Sequence, residues 1–193
     1  MTVDIAQPGF ADPVIGAQAC FRAVLDAMAR PGQLRTAGAG LTPPPPLAPA
    51  TAALLLTLVD HETPLWLDPA AQAARDWITF HCGSPVADTL EACSFALALT
   101  LPPLAALPAG THEAPESAAT LLLQVDGFGH GRRYRLFGPG LREPALLDVA
   151  GLPAGFADAW QQNHALFPRG IDIVLCAGTQ LAALPRSVTV QEA

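Results

Sequence analysis

The chain has 193 residues, 51% of them hydrophobic and 14% charged, a balance that fits a single domain spanning 1–193 with a sizeable core and excludes intrinsic disorder. The formal charge is −7 and all ten basic residues are arginines. With no lysine there is no internal Schiff base for pyridoxal phosphate, and an acidic chain lacks the clustered positive charge that nucleic acid or an anionic lipid surface needs.

Residues 1–9 hold Asp4 and no basic stretch ahead of an apolar run, so no secretory signal is read and a cytoplasmic location is expected. Asp12-Pro13 opens a helix: Asp12 caps, Pro13 suits the first turn, and Val14, Ala17, Phe21, Val24 and Met28 recur at helical spacing until Pro31-Gly32 stops it. A proline-rich loop follows, then an apolar helix over 50–59 and a short strand over 64–67. Asp68-Pro69 repeats the cap-then-proline signal and starts a third helix, with Ala73, Trp77 and Phe80 on one face and Gly83-Ser84-Pro85 as its stop. Strands are expected over 95–99 and 120–125, the latter joined through a hairpin turn at Gly127, Gly129 and Gly131 to a strand over 132–137. A helix over 153–166, carrying Phe156 and Trp160, and a strand over 171–176 close the reading. The uncharged stretches 36–59 and 94–111 are too interrupted by proline to span a membrane. Helices and strands alternate without a linker, which points to an α/β, three-layer sandwich around a central mixed sheet.

The chemistry-bearing patterns are few. Gly127 to Gly131 precedes a strand rather than a helix, so it does not read as a dinucleotide loop, and the missing lysine forbids a P-loop. Cys20, Cys82, Cys93 and Cys176 have no metal spacing and read as small buried apolar residues. Asp60-His61-Glu62 reads as a solvated turn, His81-Cys82 as structural, and no serine sits in a nucleophile elbow. Arg132, Arg133 and Arg135 form the densest basic feature, with Arg133 and Arg135 on one strand face, suited either to a phosphonate or to a salt-bridge ladder. Arg169 and Asp172 flank a Pro-x-Gly turn directly before a buried strand. This can orient a ligand or a partner, or can simply turn the chain. No catalytic, cofactor-binding or metal-ligating residue is assigned.

Several segments together resemble one family: Asp12-Pro13, Ala17-Gln18, Phe21-Arg22 and Ala27-Met28, then Asp60, Thr63-Pro64 and Trp66-Leu67. Gly110-Thr111, Pro115-Glu116, Leu123-Gln124-Val125, Arg135-Leu136 and Gly138-Pro139-Gly140 continue the series, and Phe167-Pro168, Gly170-Ile171-Asp172 and Pro185-Arg186 end it. In this order they are similar to the H subunit of the bacterial carbon-phosphorus lyase system, the PhnH family of phosphonate catabolism. The resemblance implies a fold like the large domain of pyridoxal-phosphate-dependent transferases, without that cofactor. It implies a homodimer in isolation, through apolar surface that other subunits would otherwise cover, and a core complex with the G, I and J subunits. There the chain would be accessory, non-catalytic alone within a transferase-class assembly, supporting synthesis of alpha-D-ribose 1-methylphosphonate 5-triphosphate from ATP and alkylphosphonate. The alternative is a pure scaffold. A ligand or interface role would fall to Arg22, Arg135, Arg169, Asp172 and Arg186, and convergence of the four guanidiniums on one cleft would favour a ligand pocket.

Overall fold

The computed structural model describes residues 8–193, beginning just ahead of helix α1 (Pro13–Ala29). The Asp12 carboxylate accepts from the backbone N–H groups of Val14 and Ile15, each at 3.0 Å, and Pro13 occupies a first-turn position that has no donor to satisfy. Its buried side is Cys20, Val24 and Ala27, whereas Val14 and Phe21, expected on the inner face, are exposed. Apolar residues run around most of this helix, so spacing alone does not choose the core side. The small side does, because Cys20 and Ala27 let the backbone approach its neighbours closely.

Strand β1 (Arg35–Thr36) and helix α2 (Pro49–Leu58) follow, and every residue from Ala50 to Leu55 is buried, as suits a helix that is apolar all round. The Gln124 side chain fastens the proline-rich loop to the sheet. Its Oε1 accepts from the Ala48 N–H and the Thr51 hydroxyl, and its Nε2 donates to the Pro46 carbonyl.

After strand β2 (Leu65–Leu67) the expected third helix is split into a 3-10 turn (Pro69–Ala74) and helix α3 (Arg75–Cys82). The change of pitch rotates the buried face, so Trp77 and Ile78 point inward while Ala73 and Phe80 are exposed. Buried Asp68 caps the turn through the Ala70 N–H at 2.9 Å and reaches across to the Leu99 N–H at 2.9 Å. Gly83, at φ 66°, ends α3 in the left-handed conformation.

The remaining elements are β3 (Phe95–Ala98), β4 (Thr120–Gln124), β5 (Gly127–Phe137), β6 (Ala145–Ala150), α4 (Phe156–His164), β7 (Asp172–Ala177), β8 (Gln180–Leu184) and β9 (Thr189–Glu192). Six strands form a central sheet in the order β1-β8-β7-β4-β3-β2, in which β8 alone runs against the others: β2, β3, β4 and β7 pair in parallel, and β8 is antiparallel to both β7 and β1. β6, β5 and β9 form a separate antiparallel sheet. The glycine segment is therefore no hairpin turn between β4 and β5. It is the bulged start of β5, whose register against β6 shifts between Phe128 and Arg132.

Alternation along the parallel strands builds two cores. Leu97, Leu122 and Val174 face α1, α2 and α3, while Ala96, Leu121, Leu123, Ile173 and Leu175 face Tyr134, Leu136, Leu147, Phe156 and Trp160. The architecture is thus α/β around a mixed sheet, as expected, with α4 and the small sheet together covering the second face. Among the described residues no helix is long and apolar enough to cross a membrane.

Candidate functional site

The Asp172 and Arg186 pair sits where β7 begins and β8 has just ended. Ile173 pairs with Leu184 in the β7–β8 ladder, so the two side chains meet at the mouth of that hairpin. Asp172 Oδ1 accepts from the Arg186 backbone N–H at 2.7 Å, and Oδ2 accepts from Arg186 Nη2 at 2.6 Å. Arg186 Nε lies 3.2 Å from both carboxylate oxygens, and Nη1 donates to the Pro115 carbonyl at 2.6 Å. Both side chains are about five-sixths buried, with 15% and 16% of their surface exposed. Each face of the guanidinium's fork is therefore committed to the fold. The Arg186 carbonyl in turn accepts from His164 Nδ1 at 2.8 Å, which places a ring proton on that nitrogen and ties α4 to the same corner.

Arg169 lies three residues ahead of Asp172 in a tightly pinned segment. Its N–H donates to the Leu166 carbonyl at 3.0 Å, and Gly170 N–H donates to Ala109 at 2.8 Å. The Asn163 side chain clasps Ile171 by both its N–H and its carbonyl. Gly170 has φ 108° and a Cβ there would meet the Asn163 carbonyl at 2.9 Å, so glycine is required. The Arg169 side chain is half-buried, its Nε is shielded from solvent without an acceptor, and its guanidinium pairs with no carboxylate among the described residues.

Arg22 and Arg135 stand elsewhere. Arg22 is exposed on α1; Arg135 is exposed on the outer face of β5, opposite Leu146 and Gln191. Its neighbours resolve into a ladder: Arg133 grips Asp148 with two bonds of 2.7 and 2.8 Å, and Arg132 holds Glu192 at 3.1 Å. The hydrogen bond from Arg133, and then its charge, hold the Asp148 carboxyl below its ordinary range.

Of the larger cavities among the described residues, one of about 400 Å³ lies at the start of α4, lined by Arg132, Gly155, Asp158, Gln161 and Glu192. Another, of about 420 Å³, is an apolar groove between α4 and Leu104, Leu107 and Ala109. Neither these nor the shallow hollow beside α3 is lined by Arg22, Arg135, Arg169, Asp172 or Arg186. What the structure brings together is Asp172, Arg186 and the Pro115 carbonyl, with Arg169 in the adjoining turn. The partnership with Pro115 was invisible in the sequence, because a carbonyl 71 residues away carries no side-chain signal.

The thiols offer little nucleophilic chemistry at neutral pH. Burial pushes Cys82 up to about 12, Cys93 to about 11, and Cys20 and Cys176 upward as well. Among the described residues no group of three or more His, Cys, Asp or Glu side chains is placed to hold a metal ion.

Residues 8–191 match the family model described as bacterial phosphonate metabolism protein (PhnH). The chain belongs to the PhnH family. A protein of Rhizobium meliloti (strain 1021) named alpha-D-ribose 1-methylphosphonate 5-triphosphate synthase subunit PhnH is 40% identical over 187 residues, which cover 94% of each chain. A protein of Stutzerimonas stutzeri named as a candidate C-P lyase subunit, HtxG, is 34% identical over 177 residues, covering 90% of this chain and 85% of its own. The PhnH match takes in α1, both sheets and the Arg169–Arg186 corner alike.

Proposed function

We infer that the chain is an accessory subunit, without a reaction of its own, of the assembly that makes alpha-D-ribose 1-methylphosphonate 5-triphosphate from ATP and an alkylphosphonate ahead of carbon-phosphorus bond cleavage. The observation that carries this reading is the 40% identity to the Rhizobium subunit across 94% of both chains. In it the G, I and J subunits are the partners, the assembly is cytoplasmic, and the isolated chain is a homodimer. Its fold is a relative of the large domain of pyridoxal-phosphate-dependent transferases, from which the cofactor's lysine is missing. Protonated thiols, and arginines spent on ion pairs at Asp148, Asp172 and Glu192, support an accessory role.

Within this reading Arg169 is the contact residue, and Asp172 with Arg186 is the frame that positions its turn. An Nε withdrawn from water without an acceptor is costly, and the half-buried guanidinium that carries it, unpaired among the described residues, keeps donors for an incoming anion or a partner's carbonyl. Arg22 and Arg135 serve separate surfaces. The test is growth on methylphosphonate as sole phosphorus source, in a strain whose own H subunit is deleted. Complementation by the parent chain and failure by Arg169→Ala, with an unchanged unfolding midpoint, is the expected result. Equal growth of the two leaves the chain a scaffold with no contact at Arg169, and failure of the parent contradicts the functional reading.

A further inference from the structure

Helix α1 has two apolar sides and only one is used. Cys20, Val24 and Ala27 are buried against the domain, yet on the opposite side Val14 is 76% exposed, Ile15 61%, Phe21 46% and Leu25 52%. Val14, Gln18, Phe21 and Leu25 follow one another at steps of four, three and four residues, which is the spacing of a seam that receives another helix. Singly exposed apolar residues are ordinary, but four large ones aligned on one helix form a patch of the kind that marks an interaction site.

Charge distinguishes the occupants. Arg22 borders the seam beside Ile15, and no carboxylate among the described residues pairs with it. Asp26, one turn on, is engaged by Arg30 at 2.7 Å and Arg35 at 3.6 Å, while Asp12 is committed to capping. A second copy packed antiparallel on this seam would set Arg22 against Ile15, and one packed parallel would set Arg22 against Ala17; neither supplies an acid. A chain of net charge −7 is also a poor match for an anionic membrane.

We propose that the exposed side of α1 is the docking surface for a helix of a different subunit of the same assembly, one with an apolar seam and a carboxylate that meets Arg22. This rests on the subunit reading above and adds to it the surface and the chemistry of the partner.

The test is co-expression of the tagged full-length chain with the G, I and J subunits, reading the amount of each that co-purifies. Phe21→Ser with Leu25→Ser, and separately Arg22→Glu, should each lower co-purification about tenfold or more. Because these side chains are exposed, circular dichroism and the melting point should match the parent. Sedimentation of the isolated Arg22→Glu chain should match it too. Co-purification equal to the parent in both variants overturns the proposal, and if self-association is lost instead, the seam belongs to a second copy. Failure of the parent itself to bring down any subunit contradicts the subunit reading, a result distinct from failure of the surface alone.

Discussion

Arg186 and Arg169 flank one corner of the fold, and among the described residues only the first has its charge met. Arg186→Ala strands the Asp172 carboxylate, which loses its guanidinium and keeps only the backbone N–H. Because the pair keeps some solvent contact, the expected cost is about 2 kcal/mol rather than the larger penalty of a fully buried pair, read as a lower urea midpoint at unchanged slope. Arg169→Ala gives up no side-chain bond among the described residues and should cost under ~0.5 kcal/mol, while complementation fails. Tyr134 is the converse case, a buried hydroxyl without an acceptor in an apolar core. Its replacement by Phe removes an unsatisfied polar group and should leave stability equal or higher by up to about 1 kcal/mol. Burial raises the Tyr134 phenol above its ordinary pKa, chiefly by desolvation, with Arg132 opposing and Glu192 adding. A raised value means the neutral form's contribution is complete below the unfolded pKa, about 10, and is lost as pH rises through the folded one. An alkaline unfolding profile should therefore decline less steeply in Tyr134→Phe than in the parent.

At the scale of elements, local chemistry was legible and tertiary choice was not. Asp12-Pro13 and Asp68-Pro69 are caps that act on neighbouring N–H groups, so both helical starts lie where the sequence places them. Which side of α1 is buried depends on the sheet it meets, and the sequence offers two apolar sides. The glycines of 127–131 read as a turn because glycine marks turns, yet here they bulge a strand against β6, a partner not yet met in the sequence. Strands β8 and β9 escaped detection since Gln180–Leu184 holds two alanines and no β-branched or aromatic residue, and Thr189–Glu192 is polar. Asp172 and Arg186 were each legible as candidates, but their bonding follows from the β7–β8 ladder and not from spacing. Asp68 links two such elements, and Asp68→Ala should cost about 2 kcal/mol by releasing the Ala70 and Leu99 N–H groups together, whereas an exposed cap alone costs about half that.

For the whole molecule, the composition carries one firm exclusion and the family carries the function. With no lysine to receive the aldehyde, the purified chain should hold no pyridoxal phosphate after gel filtration, and a stoichiometric absorbance band would contradict the account. The apolar side of α1, the Arg169 Nε buried without an acceptor among the described residues, and the thiols held protonated all fit a chain whose partners complete it. The most direct measurement is the native mass of the complex recovered when this chain is co-expressed with the G, I and J subunits. The account predicts one assembly that contains this chain in fixed stoichiometry with the others. A chain recovered only by itself, beside an assembly complete without it, would contradict it.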